Sequence, residues 1–372
     1  MTEVEGWGEA GRISGNMPLD QLEGFSSMDL TIALLGFGNV NRALARLILR
    51  KAEALKTEHG LALTVVGIST HSHGSAIDPD GLDLQAALDL YGNPARSLAE
   101  LDRGRGVPDL LAFVESVPAD LVVEATWMDP RTGQPATDTL RAALRQGKHV
   151  VTANKGPLAF AYRELRDLAA QQGVGFFFES TVMDGAPVHA VGREGLPVAV
   201  INRIRGILNS TTNGILTRLE QGVPFAAALK EMQEAGLAEA DPRNDVEGWD
   251  SALKIAVLAN VHMGADLRPA DVSRTGIVGL TIKKAQEAVA NGRRIKLLCE
   301  AWREGEAVRA RVKPTPIPLD DPLAHVHRTS SAVTFETDTL PALTIIEGDS
   351  SPDTTAFGLL ADVVNIARGR HR

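Results

Sequence analysis

Apolar residues in this chain come in short unbroken runs. LTIALLG starts at Leu30 and ends in glycine. A run with no polar alternation predicts a strand buried on both faces, as in a parallel sheet. VNRALARLILRKAEAL follows, with its apolar residues at helical spacing. LTVVGIS (Leu63–Ser69) and LVVEAT (Leu121–Thr126) repeat the strand signal, and KHVVTANK and GFFFES add two more. Between residues 75 and 118, Gly and Pro cut the pattern into short amphipathic helices. Strand and helix thus alternate through this half, which predicts an α/β fold with a Rossmann-type doubly wound parallel sheet.

From about Ala199 the strands lengthen: AVINRIRGILNS, RRIKLLCEAW and AVRARVKP. Helical patterns cover Phe225–Ala235 and Gly248–Met263. This predicts a second, α+β domain. TTAFGLLADVVNIARG reads as one amphipathic helix that returns to the first domain. The expected division is a polar, Gly-rich flexible extension at 1–28, a nucleotide-binding domain at 29–157, a substrate and dimerisation domain at 158–350, and the returning helix at 351–372.

Composition narrows the function classes. Hydrophobic residues are 44% and charged residues 23%, values that supply a large core. The net charge of −9 argues against a nucleic-acid protein, which carries a basic face. The single cysteine, Cys299, allows neither an intramolecular disulfide nor a cysteine metal site. A reducing compartment, the cytoplasm, is the expected location. Cys299 lies in an apolar run and reads as buried and inert. No run of 18 apolar residues predicts a membrane span.

The first candidate site is the turn Gly36-Phe37-Gly38-Asn39-Val40, between the first strand and the first helix. The first glycine permits the tight turn, the second lets a pyrophosphate approach the backbone, and the helix start offers free N–H groups. Asn41 stands where the usual fingerprint has a third glycine, which would loosen helix–strand packing. A carboxylate that would hold the ribose of NAD is missing from Ser69–His73, and so is any Arg or Lys. The expected cofactor is NADP or NAD, with NADP favoured because nothing repels a 2′-phosphate.

The second candidate site is EAGLAEADPRNDVEGWDSALKIAVLAN, with Gly236, Glu239, Asp241, Asp245, Asp250 and Lys254. Asp250 and Lys254 are four apart and share one face of a helix that is apolar nearly all round. They are either a surface ion pair or part of a carboxylate pocket around one lysine. Carboxylates suit a substrate ammonium, and a lysine suits proton transfer to an alkoxide. Asp241, before Pro242, serves the turn or the pocket, and His189 in PVHAV reads as a packed core histidine.

These residues, with VTANKGPL, ESTVMDGAPV and RGILNSTTNGILTRL, resemble the homoserine dehydrogenase family from Leu30 to Arg368. The resemblance implies reduction of L-aspartate 4-semialdehyde to L-homoserine with NAD(P)H, in threonine and methionine biosynthesis. By matching position, Lys254 would be the proton donor and Lys155 a second active-site lysine near cofactor and substrate. Glu239, Asp245 and Asp250 would hold the substrate. Thr126, Trp127, Lys155 and Gly236 would touch the cofactor beside the Gly36–Val40 turn. Backbone carbonyls of Glu179, Val182, Asp184 and Ala186 would hold a monovalent cation such as sodium. The resemblance further implies a homodimer through the second domain, and a short form without a C-terminal regulatory domain.

One departure stands out. The family carries a Gly-Ala-Gly-rich turn before its last helix, and this chain has Gly348-Asp349-Ser350-Ser351-Pro352. That motivates an alternative, a catalytically silent nucleotide-binding relative. Another amino-acid dehydrogenase of the same architecture is the second alternative.

Overall fold

The computed structural model describes residues 28–93, 95–103 and 107–369. The extension expected at 1–28 lies outside them apart from Met28, which opens the first strand.

Six strands form the first sheet: β1 (Met28–Leu35), β2 (Leu61–Ser69), β3 (Ser75–Ile77), β4 (Leu121–Glu124), β5 (His149–Thr152) and β6 (Phe176–Phe177). Their order in space is β3-β2-β1-β4-β5-β6. All pairs are parallel except β2 with β3. Ile32, Leu34, Leu121, Val122 and Val123 are completely buried, which accounts for the unbroken apolar runs. The strand order reverses at β1, between β2 and β4. Leu35 stands level with Ser69 on one side and Glu124 on the other, so the loops after β1, β2 and β4 meet at one edge. Crevices at such reversal points are where open parallel sheets bind ligands.

One element and one boundary differ from the sequence expectation here. β3 is a three-residue edge strand, too short to show a pattern. β6 pairs with β5, so the first sheet runs past the expected boundary at 157. The helices Lys155–Phe160 and Tyr162–Gln172 make the crossover between them.

The second sheet contains β7 (Ile201–Ile207), β8 (Ser273–Arg274), β9 (Arg293–Glu304), β10 (Ala307–Pro318), β11 (Ser331–Thr337) and β12 (Leu343–Glu347). Its order is β12-β11-β7-β9-β10-β8, antiparallel except for β8 beside β10. The helix Trp249–Met263 packs on this sheet, and its Ile255, Ala256, Val257, Leu258 and Ala259 are completely buried. Cys299 is buried in the same core.

The segment expected as one long strand, AVINRIRGILNS, ends as a strand at Ile207. A helix that the apolar pattern did not announce follows, Ser210–Glu220, capped by Asn209. The last helix, Pro352–Ala367, buries Ala356, Leu359, Leu360, Val363 and Ile366 in the core of the first sheet. It also presses on the loop after β6: a Cβ on Gly358 would come within 2.3 Å of Ser180 Oγ and 2.9 Å of the Asp184 carbonyl. No helix among the described residues is long and apolar enough to cross a membrane.

Candidate active site

Gly36 follows β1 with φ +75°, and a Cβ there would stand 2.7 Å from the Ala125 carbonyl. Only glycine lets the turn pass so close to the loop after β4. Gly38 caps the first helix, Asn39–His59, without a side-chain hydrogen bond, and a Cβ on it would meet nothing within 4 Å. The helix start is thus left without a side-chain cap and with room beside Gly38, the arrangement that receives a phosphate. Phe37 is buried and meets the Tyr91 ring edge-on, so only its backbone is available to a ligand. Asn41 does not loosen the packing. It is completely buried, and its Nδ2 donates to the Leu35 and Gly36 carbonyls at 3.1 and 2.6 Å, tying helix to strand.

A cation from the first helix stands beside the Ser69–His73 loop. Arg42 stacks its guanidinium 4.6 Å from the Tyr91 ring centroid, and His73 stacks on the same ring at 4.3 Å. Arg42 also donates to Asn39 Oδ1 at 2.7 Å.

Opposite the glycine turn, Thr126 sits half-buried and Trp127 is 77% exposed. Lys155 leaves the end of β5 as the first residue of its helix, with Asn154 as cap. It reaches across to the second domain, where its Nζ lies 3.2 Å from Asp250 Oδ1.

Asp250 is the hub. Its Oδ2 faces Lys254 Nζ at 3.5 Å and accepts from Asn209 Nδ2 at 3.1 Å. The same Asn209 amide donates to Asp245 Oδ1 at 2.7 Å, while its own oxygen caps the helix at Thr212. Lys254 also donates to the Leu208 carbonyl at 2.8 Å. The pair is not a surface bridge: the Lys254 and Asp250 side chains are 17% and 19% exposed.

Burial pushes the Asp250 carboxyl up, but Lys254, Lys155 and Asn209 together hold it well below the usual carboxylate range. Burial likewise pulls the Lys254 ammonium down, and Asp250, Asp184 and Asp245 outweigh it, so its pKa ends above the ordinary 10.5. Asp245 moves the other way, raised by burial and then by the neighbouring Asp250. Lys254 is thus a lysine held charged by surrounding carboxylates.

Two further carboxylates belong to this neighbourhood. Asp184 adopts φ +38° and accepts from Thr355 Oγ1 at 3.0 Å, and its charge acts on Lys254. Glu347 lies at the end of β12, and its Oε2 is buried without a partner among the described residues. Burial and the Asp184 charge push the Glu347 carboxyl up to about 7.

Glu239 and Gly236 lie on the exposed loop after the helix Phe225–Glu234, outside this hydrogen-bonded cluster. Among the described residues Glu239 is engaged through its backbone carbonyl, by Gln233 Nε2 at 3.1 Å, and the Gly236 N–H donates to the Gln233 carbonyl at 3.0 Å. Asp241 pairs with Arg243 and shapes the turn. His189 is a core residue, bonded through Nδ1 to His262 and through Nε2 to Thr181. The Glu179 carboxylate points inward and accepts the His189 and Ala190 N–H groups.

The Gly348–Pro352 turn has local work of its own. Asp349 accepts from Thr329, and Ser351 caps the last helix with Pro352 in its first turn.

Comparison with known proteins decides the family. Residues 36–179 match the family profile described as "Homoserine dehydrogenase, NAD binding domain", and residues 187–364 match "Homoserine dehydrogenase". The chain belongs to the homoserine dehydrogenase family. It is 40% identical over 344 residues to the NAD(+)-dependent homoserine dehydrogenase of Pseudomonas canavaninivorans, covering 92% of this chain and 97% of that one. It is 38% identical to the homoserine dehydrogenase of Methanocaldococcus jannaschii, covering 91% and 98%. A hyperthermophilic archaeal homoserine dehydrogenase solved in complex with NADPH superposes with a TM-score of 0.78 at 28% identity, covering 92% and 98%. The activity is that of an NAD(P)-dependent oxidoreductase of this family.

Proposed function

We propose that the Lys155–Asp250–Lys254 cluster is where L-aspartate 4-semialdehyde is reduced to L-homoserine. The observation that carries this is the convergence of two lysines, one from each domain, on one carboxylate, at 3.2 and 3.5 Å. The bound nicotinamide dinucleotide would supply the hydride. Residues of the chain do the rest. Asp250, Asp245 and Asp184 keep Lys254 protonated, so it is loaded to donate to the oxygen of the carbonyl as negative charge develops there. Lys155 adds a second positive charge beside the same oxygen. Asp245, and Glu239 from its loop, receive the ammonium end of the substrate.

The Gly36–Val40 turn fits a dinucleotide because its helix start is uncapped and opens onto free space. We assign Arg42 to the 2′-phosphate of NADP(H), which makes NADP(H) at least as good a cofactor as NAD(H). We assign Thr126, Trp127 and Gly236 to contacts with the same cofactor.

Sodium fits the loop after β6. The Val182 and Asp184 carbonyls take no backbone N–H among the described residues, and Asp184 adds a carboxylate. The Ala186 carbonyl already accepts from Val188 at 2.7 Å. Replacing sodium by choline should lower the melting temperature if the ion is held there.

The same reading makes the protein a cytoplasmic homodimer joined through its second domain, which sedimentation equilibrium tests. The deciding assay is oxidation of NADPH and of NADH with aspartate semialdehyde as substrate. No turnover with either cofactor, beside intact dinucleotide binding, would favour the silent relative.

A further inference from the structure

The strand run LVVEAT carries a carboxylate in an otherwise apolar strand. Glu124 is completely buried at the end of β4, and its side chain has no ion pair among the described residues. A charge in that position survives only if donors fill its acceptor sites. They do. Oε1 accepts from Thr126 N–H at 2.8 Å, from Thr126 O–H at 2.6 Å and from Asn154 Nδ2 at 3.3 Å. Oε2 accepts from Thr152 O–H at 2.6 Å. Two carboxylate oxygens offer about four acceptor positions, and four donors meet them, three at Oε1 and one at Oε2. Burial raises the carboxyl above its ordinary value, and these four hydrogen bonds offset that rise only in part.

The donors come from two different loops. Thr126 belongs to the loop after β4, which also carries Trp127. Thr152 and Asn154 belong to the end of β5, which stands level with Glu124 in the sheet. Asn154 is fixed on every side. Its N–H donates to Thr152 Oγ1 at 2.9 Å, its Nδ2 to the Thr126 carbonyl at 3.2 Å, and its Oδ1 accepts from Gly156 N–H at 3.4 Å. That last bond caps the helix whose first residue is Lys155. The direction in which Lys155 departs toward Asp250 is therefore set by the cage around Glu124.

We propose that Glu124 is a positioning residue for the reaction: its buried carboxylate locks the loops after β4 and β5 together and so aims Lys155 at Asp250. This rests on the reading of Lys155 as part of the reacting cluster. Glu124→Gln keeps the shape but turns one acceptor into a donor facing Thr126 or Thr152, so the cage reopens.

A double-mutant cycle tests it, with the dinucleotide dissociation constant and melting temperature measured beside kcat. Small misplacements of reacting groups cost up to about 10²-fold in rate, and we expect E124Q to lower kcat by about 10- to 10²-fold. In a Lys155→Met background the same substitution should lower kcat less than about twofold, because the group it aims is gone. An equal loss in both backgrounds would overturn the inference and leave a purely structural stitch. So would an E124Q enzyme with native kcat. Should E124Q fail to fold, Thr152→Val removes one donor and is carried through the same cycle with the same expectation. Lys155→Met alone, if it keeps native kcat, overturns the reading of Lys155 itself, and that result is distinct from additivity.

Discussion

Removing the Lys254 ammonium should separate catalysis from folding, and Lys254→Met is the substitution that does so. Methionine keeps most of the stem and loses three interactions: the bond to the Leu208 carbonyl, the ion pair with Asp250, and the charge facing Asp184 and Asp245. The Leu208 carbonyl left without its donor costs about 1–3 kcal/mol if no water replaces the lysine. Asp250 keeps Lys155 and Asn209, so it is not stranded. For domains of this size about 1 kcal/mol lowers the melting temperature by roughly 2–4 °C, so the variant should be folded at assay temperature. A positioned general acid contributes about 10²–10⁴-fold. At about 1.36 kcal/mol per tenfold, that is roughly 2.7–5.4 kcal/mol lost from the transition state. The kinetic loss exceeds the stability loss over most of these ranges.

The assay is oxidation of reduced cofactor at saturating semialdehyde, with the dinucleotide dissociation constant measured separately. Lys254→Arg sharpens it. A guanidinium keeps the charge and the pairing with Asp250 but does not give up a proton, so it should not restore turnover. A folded Lys254→Met enzyme with kcat within tenfold of native refutes the assignment. So does an arginine variant of near-native rate.

Three more outcomes follow from the same geometry. The Asp250 carboxyl lies below its ordinary 3.8 and Lys254 above 10.5, so the pair stabilises fully between those values. Its contribution should be lost only as pH falls through the Asp250 value or rises through that of Lys254, and Asp250→Asn should flatten the acid limb of a stability profile below about pH 4. Arg42→Ala should raise the KM for NADPH at least several-fold more than that for NADH; equal effects would place the 2′-phosphate elsewhere. Gly358→Ala forces a Cβ against Ser180 and Asp184, and overpacking of this kind costs about 1–3 kcal/mol, read as a lower melting temperature.

The first sheet was legible because its strands are buried on both faces and read as plain apolar runs, from LTIALLG to GFFFES. β3 left no trace because three residues make no period. The helix Ser210–Glu220 was hidden for a different reason. Its first turns, STTNG, have poor helix propensity, and burial of Thr211, Thr212, Asn213 and Gly214 overrides it. The signal that would have revealed it is Asn209, a strong cap residue directly before Ser-Thr-Thr. Missing that helix meant missing Asn209, which bridges Asp245 and Asp250. Asp250 and Lys254 were visible because both lie on one helix at i, i+4. Glu347 and Arg42 were not, because they reach their neighbourhoods from segments far away in sequence, and only the folded chain brings them there.

Charge in the site is divided by place. Asp184, Asp245, Asp250 and Glu347 surround or neighbour Lys254, with Lys155 as the only other ammonium in the cluster. Such an excess of carboxylate attracts an ammonium and repels phosphate. In the proposed reading the phosphates are served elsewhere, by the uncapped start of the first helix and by Arg42. The excess also fixes what Lys254 can do. A lysine whose pKa is raised is a weaker acid, so the cluster gives up some driving force for proton donation. In return the ammonium is fully loaded at neutral pH. The acceptor makes this workable, because an alkoxide is a stronger base than any lysine amine and the transfer stays downhill. Once the proton has gone, the same carboxylates favour its immediate return from water. In the proposed role, this returns Lys254 to its charged form for the next turnover.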